Sequence, residues 1–456
     1  MKKILFTIIF LTNTLFASLV GNGFVQQDLK ILNELDIDST FITDPNFQKF
    51  YKKFAKRYKS TYTKKLNKAE LFIPQIKMVL KQNKIPAAFL FLAMAESNFL
   101  LKAKSNRKAM GIWQFIPETS KVYGLKINEY VDERMDIVKS TQAATEYLNR
   151  LHKMFDKWYL AALSYNCGEG RVIEGLTRAT LDMYCKDNNC KKDKTVRQYR
   201  RTIKNYQAKR VKFNEIYKIY KVVRNWDYKP NIDELLIVQR GLSRQYIPRE
   251  SRDYIRKIIS LAMMNNSDYL MNDENNHLLN RGISSPIATV QVKGGMLLRN
   301  VADVIGVSKK EIQYLNPHIK RNIIPPESKN YDIYIPYSQL ARFNANIKSI
   351  KPNIFEFHIV KRGQSLHSIG KIYGVKYKLI KRFNNLKTNV LSVNQQLVIP
   401  IDPDIYIRDK NYIVKRGDTL GKIARSFKVP LKRMIKDNKL ITSMIRIGDK
   451  IVIKFK

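Results

Sequence analysis

The sequence predicts a multidomain protein in which an all-α domain precedes two small βααβ modules and a third, degenerate copy of them. Apolar residues recur mostly at helical spacing from 71 to 268, and a linker rich in Asn, Asp and Gly follows at 269–285. Beyond the linker, one segment of sequence occurs twice without gaps, which indicates duplicated modules. A chain of 456 residues, 44% of them hydrophobic, is long enough for several domains.

The N-terminal residues predict a secretory signal peptide at 1–18. Basic residues precede an apolar run from Ile4 to Phe16, and the small residues Ala17 and Ser18 follow it. The run is shorter than the ~20 residues that span a bilayer, so a membrane anchor or a buried helix is the weaker interpretation. We therefore expect an exported protein. No cysteine follows the run, which speaks against a lipid-modified N-terminus.

The chain is strongly basic, with 83 Lys and Arg residues against 39 Asp and Glu residues and a formal net charge of +44. Nucleic acid is a common partner of such chains. Here the basic residues are spread along the whole sequence and exported proteins rarely meet DNA, so we predict no nucleic-acid partner. Weak electrostatic association with cell-wall carboxylates or an anionic membrane surface fits better. A lysine-rich composition without function is the alternative.

The cysteine and histidine content excludes two classes of protein. Three cysteines do not make a disulfide scaffold, and the five histidines are scattered without metal-ligand spacing. No Gly-rich phosphate loop precedes a helix, so we predict neither a metal nor a cofactor. Cys185 and Cys190 either close a short loop in an oxidising compartment or remain two thiols, and Cys167 is left free when they pair.

The predicted helices fall into two regions. Residues 24–70 are polar and basic with scattered aromatics, and we predict a helical N-terminal region there. Residues 71–268 form the predicted all-α domain, in which Pro86, Pro117 and Pro248 stand where helices begin or turn.

The repeated segment predicts three modules. Residues 356–400 and 411–455 are the two clear copies, and 286–337 is the degenerate copy. Each shows the pattern of a strand, a turn, two short helices and a closing strand, which predicts a βααβ unit. The residues that recur are Val360, Gly363, Leu366, Ile369, Asn384 and Leu386 in the first copy and Val414, Gly417, Leu420, Ile423, Asn438 and Leu440 in the second, with Leu315 and Asn316 at comparable places in the degenerate copy.

Glu96 is the conspicuous titratable residue, because no residue from Ala87 to Ala95 has a polar side chain. A carboxyl group at the end of an apolar helix is poorly solvated, which raises its pKa. A raised pKa is what a general acid needs near neutral pH. A surface Glu at the end of its helix is the alternative interpretation.

Three further segments follow Glu96-Ser97 in order: AMGIWQF at 109–115, ALSYNCG at 162–168 and YIPRESRDYI at 246–255. In these motifs the chain resembles the lytic transglycosylases of the soluble-transglycosylase type, and most closely the membrane-bound lytic murein transglycosylase D group. The resemblance covers about residues 70 to 260 and the C-terminal repeats. It implies a lysozyme-like α-helical fold for the catalytic domain.

The resemblance also implies that Glu96 acts alone, first as an acid and then as a base. It would protonate the glycosidic oxygen between N-acetylmuramic acid and N-acetylglucosamine in peptidoglycan, then take the proton of the muramoyl C6 hydroxyl as that hydroxyl closes a 1,6-anhydro ring. An ordinary glycosidase needs a second carboxylate, whereas a hydroxyl held near C1 gains from proximity. The implied substrate-binding residues are Ser97, Ser105, Gly111, Gln114, Tyr165, Asn166 and Tyr254, the last of which also reaches the catalytic Glu.

Several neighbouring residues have structural interpretations. We expect Trp113 and Phe115 in the core rather than beneath a sugar, because aromatics at helix starts usually pack. Glu250 is expected to form a salt bridge within its basic segment, and Glu118 to favour the N-terminus of its helix. Glu169 is expected to be structural.

Two positions depart from the family pattern. Lys108 stands where the family commonly has Gly, and Cys167 where it commonly has Ala. Lys108 would alter the flexibility of its loop or its sugar contacts. Cys167 is expected to be a small buried hydrophobe rather than a reactive thiol.

The C-terminal copies resemble LysM modules, which bind glycans containing N-acetylglucosamine, in their openings IVKRGQSL and IVKRGDTL. Tethered copies raise the local concentration of weak sites on a polymer. Spacers between proteins are the alternative. The implied partners are therefore peptidoglycan glycan strands, and the implied location is the periplasm of a Gram-negative-type envelope.

Two other functions stay open. A muramidase, which is a hydrolase, would need a second carboxylate facing Glu96, and no segment supplies one convincingly. A non-catalytic wall-binding scaffold would not need the Glu96-Ser97 pair.

Overall fold

A computed structural model describes residues 26–264, 286–325, 328–349, 355–384, 386–400, 410–427, 429–438, 440 and 442–453. The predicted signal peptide at 1–18 and the predicted linker at 269–285 lie outside these residues. The described residues divide into two compact units. The first holds 26–128, 132–264 and 286–288, and the second holds 129–131 and the described residues from 289 onward.

The first unit is built from helices, which confirms the predicted all-α fold. Two 3₁₀ turns, Ser39–Thr43 and Glu133–Met135, interrupt the series. The helices are α1 Gln26–Glu34, α2 Pro45–Ala69, α3 Ile73–Gln82, α4 Phe89–Ser97, α5 Pro117–Val122, α6 Ile137–Phe155, α7 Trp158–Cys167, α8 Glu169–Asp187, α9 Lys194–Gln207, α10 Phe213–Val223, α11 Ile232–Leu236 and α12 Arg249–Met264.

Helix α4 is buried on every side. From Phe89 to Ala95 no side chain is more than 7% exposed, so the helix has no polar face before its last turn. A helix that is apolar all round lies inside a domain. Each fully buried Leu or Phe contributes roughly 1.5–3 kcal/mol of transfer free energy. Helices α12 and α3 pack against α4 and fix its position.

Helix α2 joins the core through one side only. Asp44 caps it by accepting hydrogen bonds from the backbone N–H groups of Asn46 and Phe47. Tyr51, Ala55 and other residues of one stripe are buried. Within that stripe, the hydroxyl of Tyr62 donates to the carbonyl of Leu261 in α12 at 3.0 Å. The opposite side of α2 is open to solvent and basic.

A buried carboxylate joins α8 to later parts of the first unit. The side chain of Glu174 has no exposed surface and accepts from Arg244 and from Gln207. Burial opposes its ionisation, but the hydrogen bond from Arg244 and the charge of Arg171 outweigh burial and hold its pKa below the usual value. Removing one partner of such a pair leaves an uncompensated buried charge, so the cluster fixes these segments relative to one another.

The structure resolves the cysteine alternatives. Cys185 and Cys190 form a disulfide at the end of α8, and Cys167 is free. The Cys167 thiol is only partly buried and donates to the carbonyl of Leu163 at 3.2 Å. Burial raises its pKa, so the thiol stays protonated and weakly reactive.

The second unit contains three βααβ modules, which confirms the predicted module fold. Each module has its own two-stranded sheet. In the second and third modules the strands are antiparallel, with Ile359 opposite Gln396 and Ile413 opposite Lys450. The elements are β1 Ile287–Lys293, α13 Leu298–Ile305, α14 Lys309–Leu315 and β2 Asn330–Pro336; β3 Phe355–Ile359, α16 Leu366–Tyr373, α17 Tyr377–Phe383 and β4 Gln396–Pro400; and β5 Lys410–Ile413, α18 Leu420–Phe427, α19 Leu431–Asp437 and β6 Lys450–Ile453.

The first module continues past the boundary predicted at residue 337. After a 3₁₀ turn at Tyr337–Gln339, a further helix, α15, runs over Leu340–Asn346. Phe343 is buried, and α15 packs against α13. The repeat could not predict this helix, because the aligned segments end with the closing strands, at Pro400 and Phe455.

One asparagine closes each module. In the second module the side-chain amide of Asn384 donates to the carbonyls of Ile380 and Val398, and its oxygen accepts from the N–H of Val398, all at 2.8 Å. Asn316 and Asn438 make the equivalent bonds in the other two modules. A buried amide with both its ends satisfied joins the second helix to the closing strand, which explains why Asn recurs.

Candidate active site

Glu96 lies in the last turn of α4 and is the first residue of that helix to become partly exposed. Asn98 ends the helix in the left-handed region at φ 52°, and Phe99 follows at φ 60°. Left-handed backbone is costly for a bulky residue such as Phe. The hydroxyl of Tyr58 in α2 donates to the side chain of Asn98. Tyr58 thereby holds the strained loop directly after the carboxylate.

Two residues of α12 fix the carboxylate and its helix. The Tyr254 hydroxyl donates to Glu96 Oε1 at 2.5 Å, a short distance for a charge-assisted bond. One turn later, Lys257 Nζ donates to the carbonyl of Ala95 at 2.5 Å. Oε2 of Glu96 has no hydrogen-bond partner in the described part of the chain. One carboxyl oxygen is therefore held, and the other is available to a substrate.

Burial raises the pKa of Glu96 above its usual value. The hydrogen bond from Tyr254 and the charge of Lys257 lower the pKa, while the charge of Glu250 raises it. The same burial raises the pKa of Tyr254 and of Tyr165 well above the usual value for tyrosine. Both phenols therefore stay protonated as hydrogen-bond donors beside the carboxyl group.

The loop at 109–115 is held from beneath by a buried ion pair. Arg134 makes two bonds to the carboxylate of Asp132, at 2.9 and 2.8 Å. Its remaining nitrogen donates to the carbonyls of Lys108 and Phe115. Both ends of the loop are therefore tied to one guanidinium group, which presents its donors in a rigid fork.

The backbone of Gly111 packs directly against the backbone of Arg134. Its φ is +82°, and a Cβ atom built on it would lie 1.9 Å from the carbonyl oxygen of Arg134. Only glycine fits this approach. Gly111 therefore serves the site through its lack of a side chain, which is a structural role beside the predicted substrate contact.

The position of Lys108 explains one departure from the family pattern. Its backbone is left-handed at φ 62°, a region that glycine adopts without strain. The Lys108 carbonyl accepts a hydrogen bond from Arg134 at 2.7 Å, which helps to hold the backbone in this conformation. A lysine thus occupies a glycine-favouring conformation because the buried arginine fixes the carbonyl.

Tyrosines line the neighbouring part of the site. The Tyr165 hydroxyl donates to the carbonyl of Trp113 at 2.8 Å, which joins α7 to the loop. The Tyr147 ring lies between those of Tyr165 and Tyr123, with centroids 5.2 Å apart in each pair. Arg150 donates to the Tyr123 hydroxyl. These partly exposed rings and donors form a wall suited to a polar, hydroxylated ligand.

The interior of the loop is as predicted for Trp113 and Phe115, since both side chains are buried. The Trp113 indole N–H donates to Thr141 Oγ1 at 2.9 Å. Asn166 accepts from the Ser251 hydroxyl through Oδ1 at 2.7 Å, which joins α7 to α12. The motif residues are thus held by contacts between helices distant in sequence.

Three further predicted substrate ligands also make intramolecular bonds. Ser97 is 5% exposed and donates to the carbonyl of Ala93, because one residue along a helix turns its side chain by about 100° from that of Glu96. Its hydroxyl therefore faces the core instead of a substrate. Ser105 accepts from the N–H of Ala109, and Gln114 donates to the carbonyls of Ala103 and Gly111.

Glu250 does not form the predicted salt bridge. No ion pair joins it to any residue in the described ranges, and its side chain is exposed. It lies one turn before Tyr254 on α12, and residues four apart share a helix face. Glu250 is therefore close enough for its negative charge to raise the pKa of Glu96.

Asp132, Arg134 and Lys257 are supporting residues that the sequence did not reveal. The bonds of Arg134 and Lys257 cross 26 and 162 positions of the chain. Nothing distinguishes either from the other cations of a chain with 83 of them. The segment YVDERMDIVKSTQAATEYL was the available signal, since Asp132 and Arg134 stand in it and the segment as a whole resembles the family.

Replacing Lys257 by Met is expected to extend activity to higher pH. Loss of the nearby cation raises the pKa of Glu96, so the carboxyl group stays protonated, and able to act as an acid, over a wider range. Activity at the optimum should fall by no more than about tenfold, because the reacting group remains. The measurement is the alkaline limb of kcat/KM, between neutral and basic pH, for the glycan cleavage that the family resemblance implies.

Lys257→Arg is the matched control and should keep the alkaline limb of the unaltered chain. The other charged or titratable groups around Glu96 are Glu250 and Tyr254 on α12 and Tyr165 on α7, and Lys65 on α2 acts on Lys257. All are unchanged in both variants. An alkaline limb that does not move in Lys257→Met would remove Lys257 from this role.

Metal-binding clusters and membrane-spanning helices are both absent from the described residues. No group of three or more His, Cys, Asp or Glu side chains there is placed to hold a metal ion. None of the helices that the structure describes is long and apolar enough to cross a bilayer.

Three protein families match parts of the chain. The Transglycosylase SLT domain matches residues 74–180, which contain α4 and the loop at 109–115. The family "Lytic transglycosylase MltD, LysM-like domain" matches residues 287–352, including α15. The LysM domain matches 358–400 and 412–454. The family matches thus follow the helical unit and its three modules in order.

Individual proteins are similar over different lengths. Membrane-bound lytic murein transglycosylase D of Escherichia coli strain K12 is 26% identical over 411 residues, covering 85% of this chain and 76% of the relative. A putative tributyltin chloride resistance protein of Alteromonas sp. strain M-1 is 33% identical over 111 residues, covering 24% of this chain and 54% of the relative. The spore cortex-lytic enzyme SleL of Bacillus cereus shares 28% identity with a TM-score of 0.10, covering 22% of each chain.

Proposed function

Since the chain is a lytic transglycosylase that combines an SLT domain with LysM-type domains, we propose that it cleaves the β-1,4 bond between N-acetylmuramic acid and N-acetylglucosamine with Glu96 as its only acid and base. The products are glycan strands with 1,6-anhydromuramoyl ends. The observation that carries the proposal is the state of Glu96. It is poorly solvated, held by the phenol of Tyr254 through one oxygen and available through the other.

The proton moves twice in this mechanism. Glu96 Oε2 first donates its proton to the glycosidic oxygen as the bond from that oxygen to C1 breaks. The muramoyl C6 hydroxyl then attacks C1, and its proton passes to the same carboxylate. Glu96 ends the cycle protonated again, and no water is consumed. An attacking hydroxyl that belongs to the substrate is already close to C1, which replaces a second catalytic carboxylate.

The surrounding side chains would hold the sugar during this exchange. Tyr165 lies beside the carboxyl group as a protonated phenol. Gln114 keeps its amide oxygen free of partners in the described residues, while its nitrogen holds the loop. Tyr254 fixes the orientation of the carboxyl group. We assign these residues to positioning of the muramoyl unit on the strength of their contacts with Glu96 or with the loop at 109–115.

The LysM-type modules are proposed to hold the enzyme on glycan that contains N-acetylglucosamine. Tethering raises the effective concentration of substrate without any new contact in the active site. We propose that the protein is exported and acts in the periplasm, where weak electrostatic association with wall and membrane surfaces supplements the modules.

A hydrolytic muramidase is the second candidate, and one observation favours it. Glu250 is an exposed carboxylate close enough to raise the pKa of Glu96, so it is the group that a water-dependent mechanism would use. The lyase is preferred because Glu250 has no hydrogen bond to Glu96 or to its support in the described part of the chain.

Mass analysis of the products separates the candidates. Purified peptidoglycan digested by the protein should yield muropeptides lighter by one water than those with reducing ends. Reducing ends would instead identify the muramidase, with Glu250→Gln then abolishing their release. No release of muropeptides, with wall binding retained, would identify a scaffold.

A further inference from the structure

The solvent-facing side of α2 carries cations without anions. Across the 25 residues of this helix, Pro45–Ala69, no side chain is acidic. Six of its exposed cations, which we call the α2 cationic face, form no ion pair with any residue that the structure describes. They are Lys49, Lys52, Lys53, Lys56, Arg57 and Lys64.

Helix geometry gathers these cations on one side. At 3.6 residues per turn they occupy roughly 140° of the circumference, opposite the buried stripe that contains Tyr51 and Ala55. A helix of 25 residues is about 37 Å long. The α2 cationic face is therefore a long, nearly straight row of positive charge with its back fixed to the core.

An aromatic stripe borders this face. Phe50, Phe54 and Tyr58 stand one turn apart and are partly exposed. Phe54 stacks on Phe50 at 5.7 Å and on Tyr58 at 4.7 Å, and Lys65 Nζ lies 3.8 Å from the centre of the Tyr58 ring. The flat faces of the rings are thus largely covered by one another, which makes the stripe a poor platform for sugar rings and leaves ring edges at the surface.

We propose that the α2 cationic face binds the anionic phospholipid headgroups of a bilayer surface. Lysines dominate the face, and the lysine ammonium group acts as a point charge without the planar fork that selects one partner geometry. A straight row of such charges matches a planar surface densely covered with anions. The aromatic stripe stands where interfacial aromatics sit, beside the cations at headgroup depth. Carboxylates on wall peptides are the competing anions, but they are not arranged in a planar surface that a straight row of cations would match.

This attachment would act on the enzyme through Tyr58. The stripe ends at Tyr58, whose hydroxyl holds Asn98 in the loop after Glu96. The lipid-binding side and the residue that holds the loop after Glu96 therefore lie on one helix. The inference rests on the proposed export, since an exported enzyme meets the outer surface of a bilayer, but lipid binding itself can be measured without any glycan cleavage.

The test compares two charge reversals of equal size. One variant carries Lys52→Glu, Lys53→Glu, Lys56→Glu and Arg57→Glu on α2. Its matched control carries Lys194→Glu, Arg197→Glu, Arg201→Glu and Lys204→Glu on α9, which are exposed and form no ion pair within the described ranges. Both variants and the unaltered full chain are sedimented with vesicles of phosphatidylethanolamine containing phosphatidylglycerol, and with vesicles of phosphatidylcholine alone.

The α2 variant is expected to lose at least about tenfold in affinity for the phosphatidylglycerol vesicles, while the α9 variant loses less than about threefold. Binding by the unaltered chain should weaken as salt rises, because exposed charges are screened beyond a Debye length of about 10 Å at 0.1 M. All three proteins should keep glycan release and circular dichroism, which shows that they are folded.

Three outcomes would overturn the proposal. Equal losses in both variants would mean that attraction follows net charge alone. Binding of the unaltered chain to phosphatidylcholine vesicles as tight as to anionic vesicles would exclude headgroup charge. A loss of binding to insoluble peptidoglycan by the α2 variant, with vesicle binding intact, would assign the face to the wall. Failure of glycan release in the unaltered chain would count against the proposed function. The vesicle-binding measurements would still test the lipid proposal, because they do not depend on glycan cleavage.

Discussion

Glu96→Gln should reduce the release of muropeptides by at least about a thousandfold, because the same carboxyl group serves both proton transfers in the proposed mechanism. Gln keeps the shape of the side chain and an acceptor for the Tyr254 hydroxyl, so the site should stay assembled. The variant should also be no less stable than the unaltered chain at neutral pH. A carboxyl group whose pKa is raised by folding loses stability as pH rises through that pKa, and an amide does not. Turnover and thermal midpoint are the two measurements.

Binding to insoluble peptidoglycan should persist in Glu96→Gln, because the LysM-type modules are untouched. Glu118→Gln is the matched control, since it removes an exposed carboxylate from the first turn of α5. It should leave both turnover and binding unchanged. Retention of more than about one per cent of turnover by Glu96→Gln would show that another group supplies the proton.

Gly111→Ala should destabilise the helical unit by about 2–4 kcal/mol, combining overpacking with left-handed strain. The new Cβ would stand 1.9 Å from the Arg134 carbonyl oxygen, so either the loop or the buried arginine must move. Gln114 and the Trp113 carbonyl belong to this loop, and displacement of a positioning group by about 1 Å can cost a hundredfold in rate. Thermal unfolding and glycan release should therefore fall together.

Gly124→Ala separates strain from collision. Gly124 is also left-handed, at φ +73°, but a Cβ atom there meets nothing within 4 Å. We expect it to lose about 1 kcal/mol and to keep its activity. If Gly111→Ala behaved like Gly124→Ala, the close approach to Arg134 would not control the loop.

The sequence was a good guide where chemistry is local. A run without polar side chains from Ala87 to Ala95 predicted a buried helix and an unusual carboxylate, and both are present. The gapless repeat predicted module folds, and each recurring Asn has a defined set of bonds. In these cases the residues that determine a feature stand close together in the chain, so spacing alone carries the information.

The sequence was a poor guide where a side chain's direction or a distant partner decides its role. Ser97 is adjacent to Glu96, but the helix turns it into the core. Lys257 supports the helix of Glu96 from far along the chain, and Arg134 has a buried carboxylate next to it that composition cannot distinguish from a surface pair. Glu250 stands among cations without pairing with one in the described residues. Only packing reveals these relations.

The asparagine that joins the second helix of each module to its closing strand bears on how the number of modules can change during evolution. Asn316, Asn384 and Asn438 each join the second helix of a module to the closing strand of the same module. Arg321 of the first module also donates to Oδ1 of Asn384 in the second, at 2.7 Å. A duplication or deletion of one module leaves the bonds between each remaining asparagine and its own module in place. The number of modules can therefore change in whole steps during evolution, while the bonds that close each remaining module are kept.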